Sequence, residues 1–216
     1  MSETRDDRRA ARQRRTAETA IEVDIGLDGA GTGAGGGAGS VQVDTGLPFF
    51  DHMLSQLGRH GGLDLRVHAA GDLHVDAHHT VEDVGIVMGE ALAAALGDKA
   101  GIRRFSSIAL PLDEALVEVA LDISGRPYLA YDVAFAPDTP PLGSPPFDPQ
   151  LAEEFWRALV TAAAITLHVR LVTGKNTHHV LEASFKGVAR CLRDAVRVEG
   201  VGVPSTKGTL GDAARP

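Results

Sequence analysis

Two short stretches carry the residues best suited to chemistry: His78-His79-Thr80-Val81-Glu82 and His178-His179-Val180-Leu181-Glu182. Imidazole is the commonest metal-binding side chain, and its neutral form is available near pH 7. On a helix, residues four apart stand one above the other, so His78 shares a face with Glu82 and His178 with Glu182. Each residue advances a helix by about 100°, so His79 and His179 point away from their neighbours. A pair that diverges in this way does not readily chelate one ion. It suits two ions, or one ion and a bound substrate. Two copies predict two metal sites that share ligands across the repeat or across subunits. Imidazoles with carboxylates and no thiolate suit zinc, manganese or ferrous iron. Three or four imidazoles with one carboxylate and open positions would suit an octahedral ion such as Mn2+. Spacing alone does not separate manganese from zinc. The sequence holds nine histidines. Those at His68 and His74 read as ordinary surface or core residues.

The elements that must position these motifs follow from hydrophobic spacing. A strand begins at Ala20, where Ile21, Val23 and Ile25 alternate with Glu22 and Asp24. Residues 29–40 are almost entirely Gly, Ala, Ser and Thr, a composition that cannot pack and predicts a flexible loop. A second strand lies at Val41 and Val43. Pro48 breaks it, and a helix over Phe49–Gly58 follows with Phe50, Met53, Leu54 and Leu57 on one face. A third strand, Leu63–His68, precedes a long helix starting near His78. The second half reads alike: strands at Ser106–Leu110, Ala115–Ile123 and around Tyr128–Phe135, a proline-rich loop, a helix at Leu151–Ala163, a strand at Ile165–Leu171 and a helix from His178.

Laid over each other, the halves match. The two HHxxE motifs fall together at an offset of one hundred, while Leu57 and Leu63–Val67 fall on Leu159 and Ile165–Val169 at one hundred and two. We read an internal duplication of a ββαβα-like unit, an α+β fold in which each sheet carries its helices on one face. Residues 1–15 read as a basic flexible tail, 16–97 as the first half, 98–204 as the second, and 205–216 as a C-terminal segment. Together they form one catalytic unit.

Composition narrows the class. Net charge is −8 and 44% of the 216 residues are hydrophobic. No apolar run reaches the roughly 20 residues that span a bilayer. The single cysteine, Cys191, excludes intrachain disulfides and Cys-rich zinc sites. With no secretory signal apparent, the cytoplasm is expected. Arg5, Arg8, Arg9, Arg12, Arg14 and Arg15 lack aromatic companions, so a solvated terminus is the better reading than a nucleic-acid contact.

Beyond the HHxxE copies, several stretches make the sequence specific. They include Arg15-Thr16-Ala17-Glu18-Thr19, Phe50-Asp51-His52-Met53-Leu54, Ile102-Arg103-Arg104-Phe105 and Pro111-Leu112-Asp113-Glu114-Ala115. Ser124-Gly125-Arg126-Pro127, Phe185-Lys186 and Val203-Pro204-Ser205-Thr206-Lys207-Gly208 complete the set. Taken in this order, from about residue 15 to 210, the chain resembles the imidazoleglycerol-phosphate dehydratases in their monofunctional form. The resemblance implies a duplicated fold of the ribosomal protein S5 domain 2-like type. It also implies a 24-subunit homo-oligomer and two Mn2+ ions per active site at subunit interfaces. The implied metal ligands are His52, His78, His79, Glu82, His178, His179 and Glu182. Glu154 stands where relatives usually place a ligand histidine before an aromatic pair. Three outcomes stay open there: Glu154 serves as a ligand itself with altered charge, the site is weakened, or His168 compensates.

The implied reaction is a dehydration of imidazoleglycerol phosphate to imidazole-acetol phosphate in histidine biosynthesis. The hydrogen to be removed sits on a carbon with no adjacent carbonyl, so the imidazole ring is the only electron sink. A metal on a ring nitrogen stabilises the imidazolate, as metals acidify bound water. Glu18 is the expected acid and base, with His52, His79 and His179 completing the catalytic set. Arg104, Arg126, Lys186, Ser205 and Lys207 are expected to hold the phosphate, with Gln56, His60 and Arg103 lining the same pocket. Two other classes stay open: a dinuclear metallohydrolase acting on a phosphorylated substrate, and a non-catalytic metal-binding protein.

Overall fold

The structure, a computed structural model, describes residues 8–29 and 40–210. The first half runs β1 (Arg9–Arg15), β2 (Thr19–Gly26), β3 (Val41–Asp44), α1 (Pro48–Gly61), β4 (Asp64–Gly71) and α2 (His78–Leu96). The second runs β5 (Phe105–Leu112), β6 (Ala115–Asp122), β7 (Tyr128–Asp132), α3 (Leu151–Ala163), β8 (Thr166–Thr173) and α4 (Thr177–Ala195). Alternation dictates the strands: Ile21, Val23 and Ile25 of β2 and Leu65, Val67 and Ala69 of β4 are buried, and the residues between them face outward. The sheets have the same strand order, β1-β2-β4-β3 and β5-β6-β8-β7. In each, the last pair is parallel. Parallel neighbours need a crossover, and α1 and α3 supply it.

Each sheet places its helices on one face, and the four helices meet between the sheets. Helix α2 lies on α3 and α1 on α4, so each half's helices pack against the other's. A Cβ on Gly85 would come within 2.7 Å of the Phe155 carbonyl oxygen, and one on Gly89 within 2.5 Å of the Leu159 carbonyl oxygen. These glycines let α2 approach α3 backbone to backbone. Rings from both halves fill the centre: Phe50 stacks on Phe147 at 5.6 Å and meets Phe155 edge-on at 5.3 Å, and Phe155 stacks on Phe185. Among the described residues no helix is long and apolar enough to cross a membrane.

The duplication holds, with each half βββαβα: the first half has one strand more than expected, while all three opening strands of the second were expected. Residues 9–15 are not a flexible tail: they form β1, paired antiparallel with β2 from Arg9↔Gly26 to Arg15↔Ala20. The charge run concealed this strand because nearly all its side chains are exposed. Acidic neighbours stabilise its arginines instead, including Asp24 beside Arg9 and Asp83 beside Arg14. Pro48 is not a strand breaker but opens α1 at its first turn, where its missing N–H costs nothing. Strand β7 stops at Asp132 rather than Phe135. The Gly-rich loop expected over 29–40 lies outside the described residues apart from its two ends, as do residues 1–7 and 211–216. Registers give the offsets between halves. Val67 and Val169 face Val23 and Val119, so β2 falls on β6 at an offset of 96.

Candidate active site

An Asx side chain stands at the same repeat position before both HHxxE helices, as the N-cap itself in α4 and one residue ahead of it in α2. The Asp76 side chain accepts from the His78 backbone N–H (3.1 Å), and Asn176 accepts from those of His178 (2.9 Å) and His179 (3.3 Å). The paired rings diverge as the helix geometry predicts, crossing at 88° and 83°.

The first group joins the halves. His52 Nε2 stands 3.1 Å and His178 Nε2 2.9 Å from Glu182 Oε2. Donors sharing one ion at bonds of about 2.1 Å sit about 3 Å apart, so these three atoms have the chemistry and spacing of a divalent metal site. Lys186 Nζ lies 2.6 Å from Glu182 Oε1. Burial alone pushes the Glu182 carboxyl up, but hydrogen bonds from Lys186, His52 and His178, with the lysine charge, hold it at about 2. Behind the metal donors, Gln56 reaches His52 Nδ1 (3.4 Å) and His60 Nε2 (3.1 Å). Burial, then the charges of Lys186 and Arg190, lower the His60 pKa.

A second group forms at the start of α2. His79 Nδ1 lies 3.1 Å from Asp72 Oδ2 and 3.6 Å from Glu18 Oε2. The hydrogen bond to Asp72 raises the His79 pKa despite some desolvation, with Glu18 adding to the effect. Glu18 is exposed in the β1–β2 turn. The Thr16 hydroxyl shapes that turn by accepting from the Glu18 and Thr19 N–H groups. Buried Asp83 ties the turn to α2 by accepting from Arg14 Nε (2.9 Å) and the Thr19 hydroxyl. On α4, His179 Nδ1 faces Glu114 Oε2 at 2.7 Å. That bond, then the Asn176 and Lys175 N–H groups, hold the Glu114 carboxyl at about 2.

A third feature is a pocket of about 660 Å3 lined by Arg104, Ser124, Arg126, Ser205 and Lys207, among others. Its two arginines differ. Arg104 closes its fork on Asp122 (2.7 and 3.2 Å) and donates to the Pro204 carbonyl (2.8 Å). Among the described residues, the Arg126 guanidinium is held only by the Ser124 carbonyl, at 3.4 Å. Buried Lys99 donates to the Leu210 carbonyl (2.9 Å), so the segment bearing Ser205 and Lys207 is fastened at both ends.

The predicted residues thus fall into separate groups within one chain. Lys186 joins the His52–His178–Glu182 group rather than the Arg126 pocket. His78 Nε2 is 3.8 Å from Glu82 Oε2, looser than its repeat counterpart. Glu154 does not join them: its carboxylate faces Arg157 Nε at 3.7 Å. His168 stands apart from them within the chain, because β8 points it to the outer sheet face, away from the helices, beside Tyr128. Asp72, Asp83 and Lys99 were given no role by the sequence, and Glu114 appeared there only inside a motif. Reading β1 as a strand would have exposed Glu114, since the hairpin offset of 96 places it on Glu18.

Fold and geometry together define a duplicated α+β protein with imidazole–carboxylate groups of metal-binding type and a basic pocket. Comparison with known proteins narrows this. The imidazoleglycerol-phosphate dehydratase family profile matches residues 45–192. An imidazoleglycerol-phosphate dehydratase of Acidothermus cellulolyticus is 51% identical over 207 residues, covering 95% of each chain. That of Paracoccus denitrificans is 53% identical over 94% of this chain and all of its own. The Staphylococcus aureus crystal structure superposes with a TM-score of 0.75 at 35% identity, covering 88% of this chain and 99% of that one. The Pyrococcus furiosus structure gives 0.74 at 36%, covering 92% and 99%. The chain belongs to the imidazoleglycerol-phosphate dehydratase family and is an enzyme.

Proposed function

We propose that this enzyme is a lyase of histidine biosynthesis. It removes water from imidazoleglycerol phosphate to give imidazole-acetol phosphate, with Mn2+ as its metal. The observation that carries the metal reading is the convergence of His52 Nε2, His178 Nε2 and Glu182 Oε2, an all nitrogen-and-oxygen set from both halves. His78, His79, Glu82 and His179 complete the proposed ligands. When bound, the metal supplies Lewis-acid stabilisation of charge developing on the substrate's imidazole ring.

The remaining work falls to side chains of this chain. The Glu18 carboxylate takes the carbon-bound proton, and as the acid thus formed it protonates the departing hydroxyl. Thr16 and Asp83 hold its turn against α2, which keeps that carboxylate beside His79. Arg126, Ser205 and Lys207 bind the phosphate, while Arg104, paired with Asp122, builds the wall from which they act. Lys186 neutralises Glu182 and presents positive charge beside the metal donors.

Because these groups are separate within one chain, a complete site drawn from several subunits of a homo-oligomer is the reading we favour. Phe105, Tyr128 and Val172, all exposed on the outer face of the second sheet, support it. The 24-subunit size and the cytoplasmic setting belong to the same proposal. An assay for imidazole-acetol phosphate tests the reaction: wild type forms it without releasing inorganic phosphate, and Glu18→Gln forms essentially none. Release of inorganic phosphate instead would favour the metallohydrolase reading.

A further inference from the structure

Duplication gives each half a hairpin followed by an HHxxE helix, and each hairpin turn carries a glutamate. Glu18 and Glu114 are equivalent under the offset of 96, as His79 and His179 are under the offset of 100. The halves differ in what happens between the fourth strand and its helix. In the first half this connector is 72–77, and it supplies Asp72, whose Oδ2 stands 3.1 Å from His79 Nδ1. Glu18 is left 3.6 Å away with its carboxylate exposed. In the second half the connector is only 174–176. It is drawn tight to the hairpin, and a Cβ on Gly174 would come within 2.6 Å of Val180 and 3.3 Å of Ala115. No connector carboxylate reaches His179. Glu114 takes that place: Oε2 faces His179 Nδ1 at 2.7 Å, and Oε1 accepts from the backbone N–H groups of Lys175 (3.2 Å) and Asn176 (2.8 Å).

We infer that Glu114 is a positioning residue for the metal site. It fixes the proton of His179 on Nδ1 so that Nε2 presents its lone pair to the metal, as Asp72 does for His79, and this sets Glu18 alone free for proton transfer. The inference rests on the metal-dependent reading above and adds a division of labour between two once-equivalent glutamates. A ligating imidazole donates its other N–H to a carboxylate or carbonyl, and that partner sets tautomer and ring angle. Both Glu114 oxygens are engaged in this task, one by two backbone amides and the other by the ring.

Glu114→Gln isolates the role. The amide's carbonyl oxygen still accepts from Lys175 and Asn176, so the fold is retained. Its NH2 group then faces Nδ1, which must become an acceptor, and the ring proton moves to Nε2, where it blocks the metal. Metal-stripped wild type, E114Q and E18Q are each titrated with Mn2+, with free ion read by its EPR signal. The expected result is an E114Q affinity lowered about 10- to 100-fold, with the metal-free variant still folding and unfolding cooperatively. E18Q binds Mn2+ like wild type but does not turn over. Wild-type Mn2+ affinity in E114Q, with wild type active and loaded, overturns the positioning role alone. Equal loss in E18Q and E114Q overturns the division of labour. Wild type that binds no Mn2+ overturns both this inference and the metal reading beneath it.

Discussion

Replacing Glu182 by glutamine keeps its volume and removes the charge on which Lys186, His52 and His178 converge. In the folded protein this carboxyl is held at about 2, against an ordinary value of 4.5. At about 1.4 kcal/mol per pH unit, that difference sets an upper bound of about 3 kcal/mol of stabilisation. The flanking His52 and His178 side chains are 40% and 42% exposed. Solvent therefore screens the group, and about 1–2 kcal/mol is expected to remain. A carboxyl whose folded pKa is depressed contributes fully above its unfolded value and loses that contribution as pH falls through the folded one. Urea unfolding of metal-free wild type and E182Q between about pH 3 and pH 7 reads the effect. The variant is expected to be about 1–2 kcal/mol less stable near pH 6, with the gap narrowing progressively below pH 4.5. A gap of the same size at pH 3 and pH 6, or none at pH 6, would refute the electrostatic reasoning.

Three further outcomes follow from the same geometry. Asp83→Ala removes the buried acceptor of Arg14 and Thr19. It is expected to cost about 2–3 kcal/mol in urea unfolding and to lower kcat more than it raises KM, because the Glu18 turn loses its tie to α2. Gly89→Val drives a side chain into the Leu159 carbonyl and the Ala162 Cβ; a loss of at least about 1–3 kcal/mol is expected in the same assay. Lys99→Met frees Leu210 from its buried donor. Steady-state kinetics should show KM raised about tenfold, the equivalent of a hydrogen bond of about 1.4 kcal/mol, with kcat nearly unchanged.

Much of this was legible from residue type and spacing. The HHxxE copies predicted helix starts, and α2 and α4 begin within one residue of their first histidines. The two offsets, 100 and 102, reflect two residues lost between strand and HHxxE motif in the second half; the connector there is 174–176 against 72–77, and α4 starts one residue ahead of its motif. What sequence could not convey was partnership between distant side chains. Strand β1 escaped because its fitness for a sheet lies in backbone pairing and acidic neighbours rather than apolar alternation. With it went the alignment of Glu18 on Glu114. Arg104 and Lys186 read alike as cations awaiting a phosphate, yet folding commits one to Asp122 and the other to Glu182. The direction of His168 was not legible either: strand parity turns it to the outer face, apart from this chain's other imidazoles.

The central claim is that paired imidazoles and carboxylates hold divalent ions without which the substrate's ring cannot accept charge. The most direct measurement strips the folded protein of metal and follows imidazole-acetol phosphate formation as Mn2+ is returned, with bound ion counted in parallel. The account predicts no turnover in the stripped protein and recovery in proportion to bound Mn2+. Full turnover by a folded, demonstrably metal-free protein would contradict it.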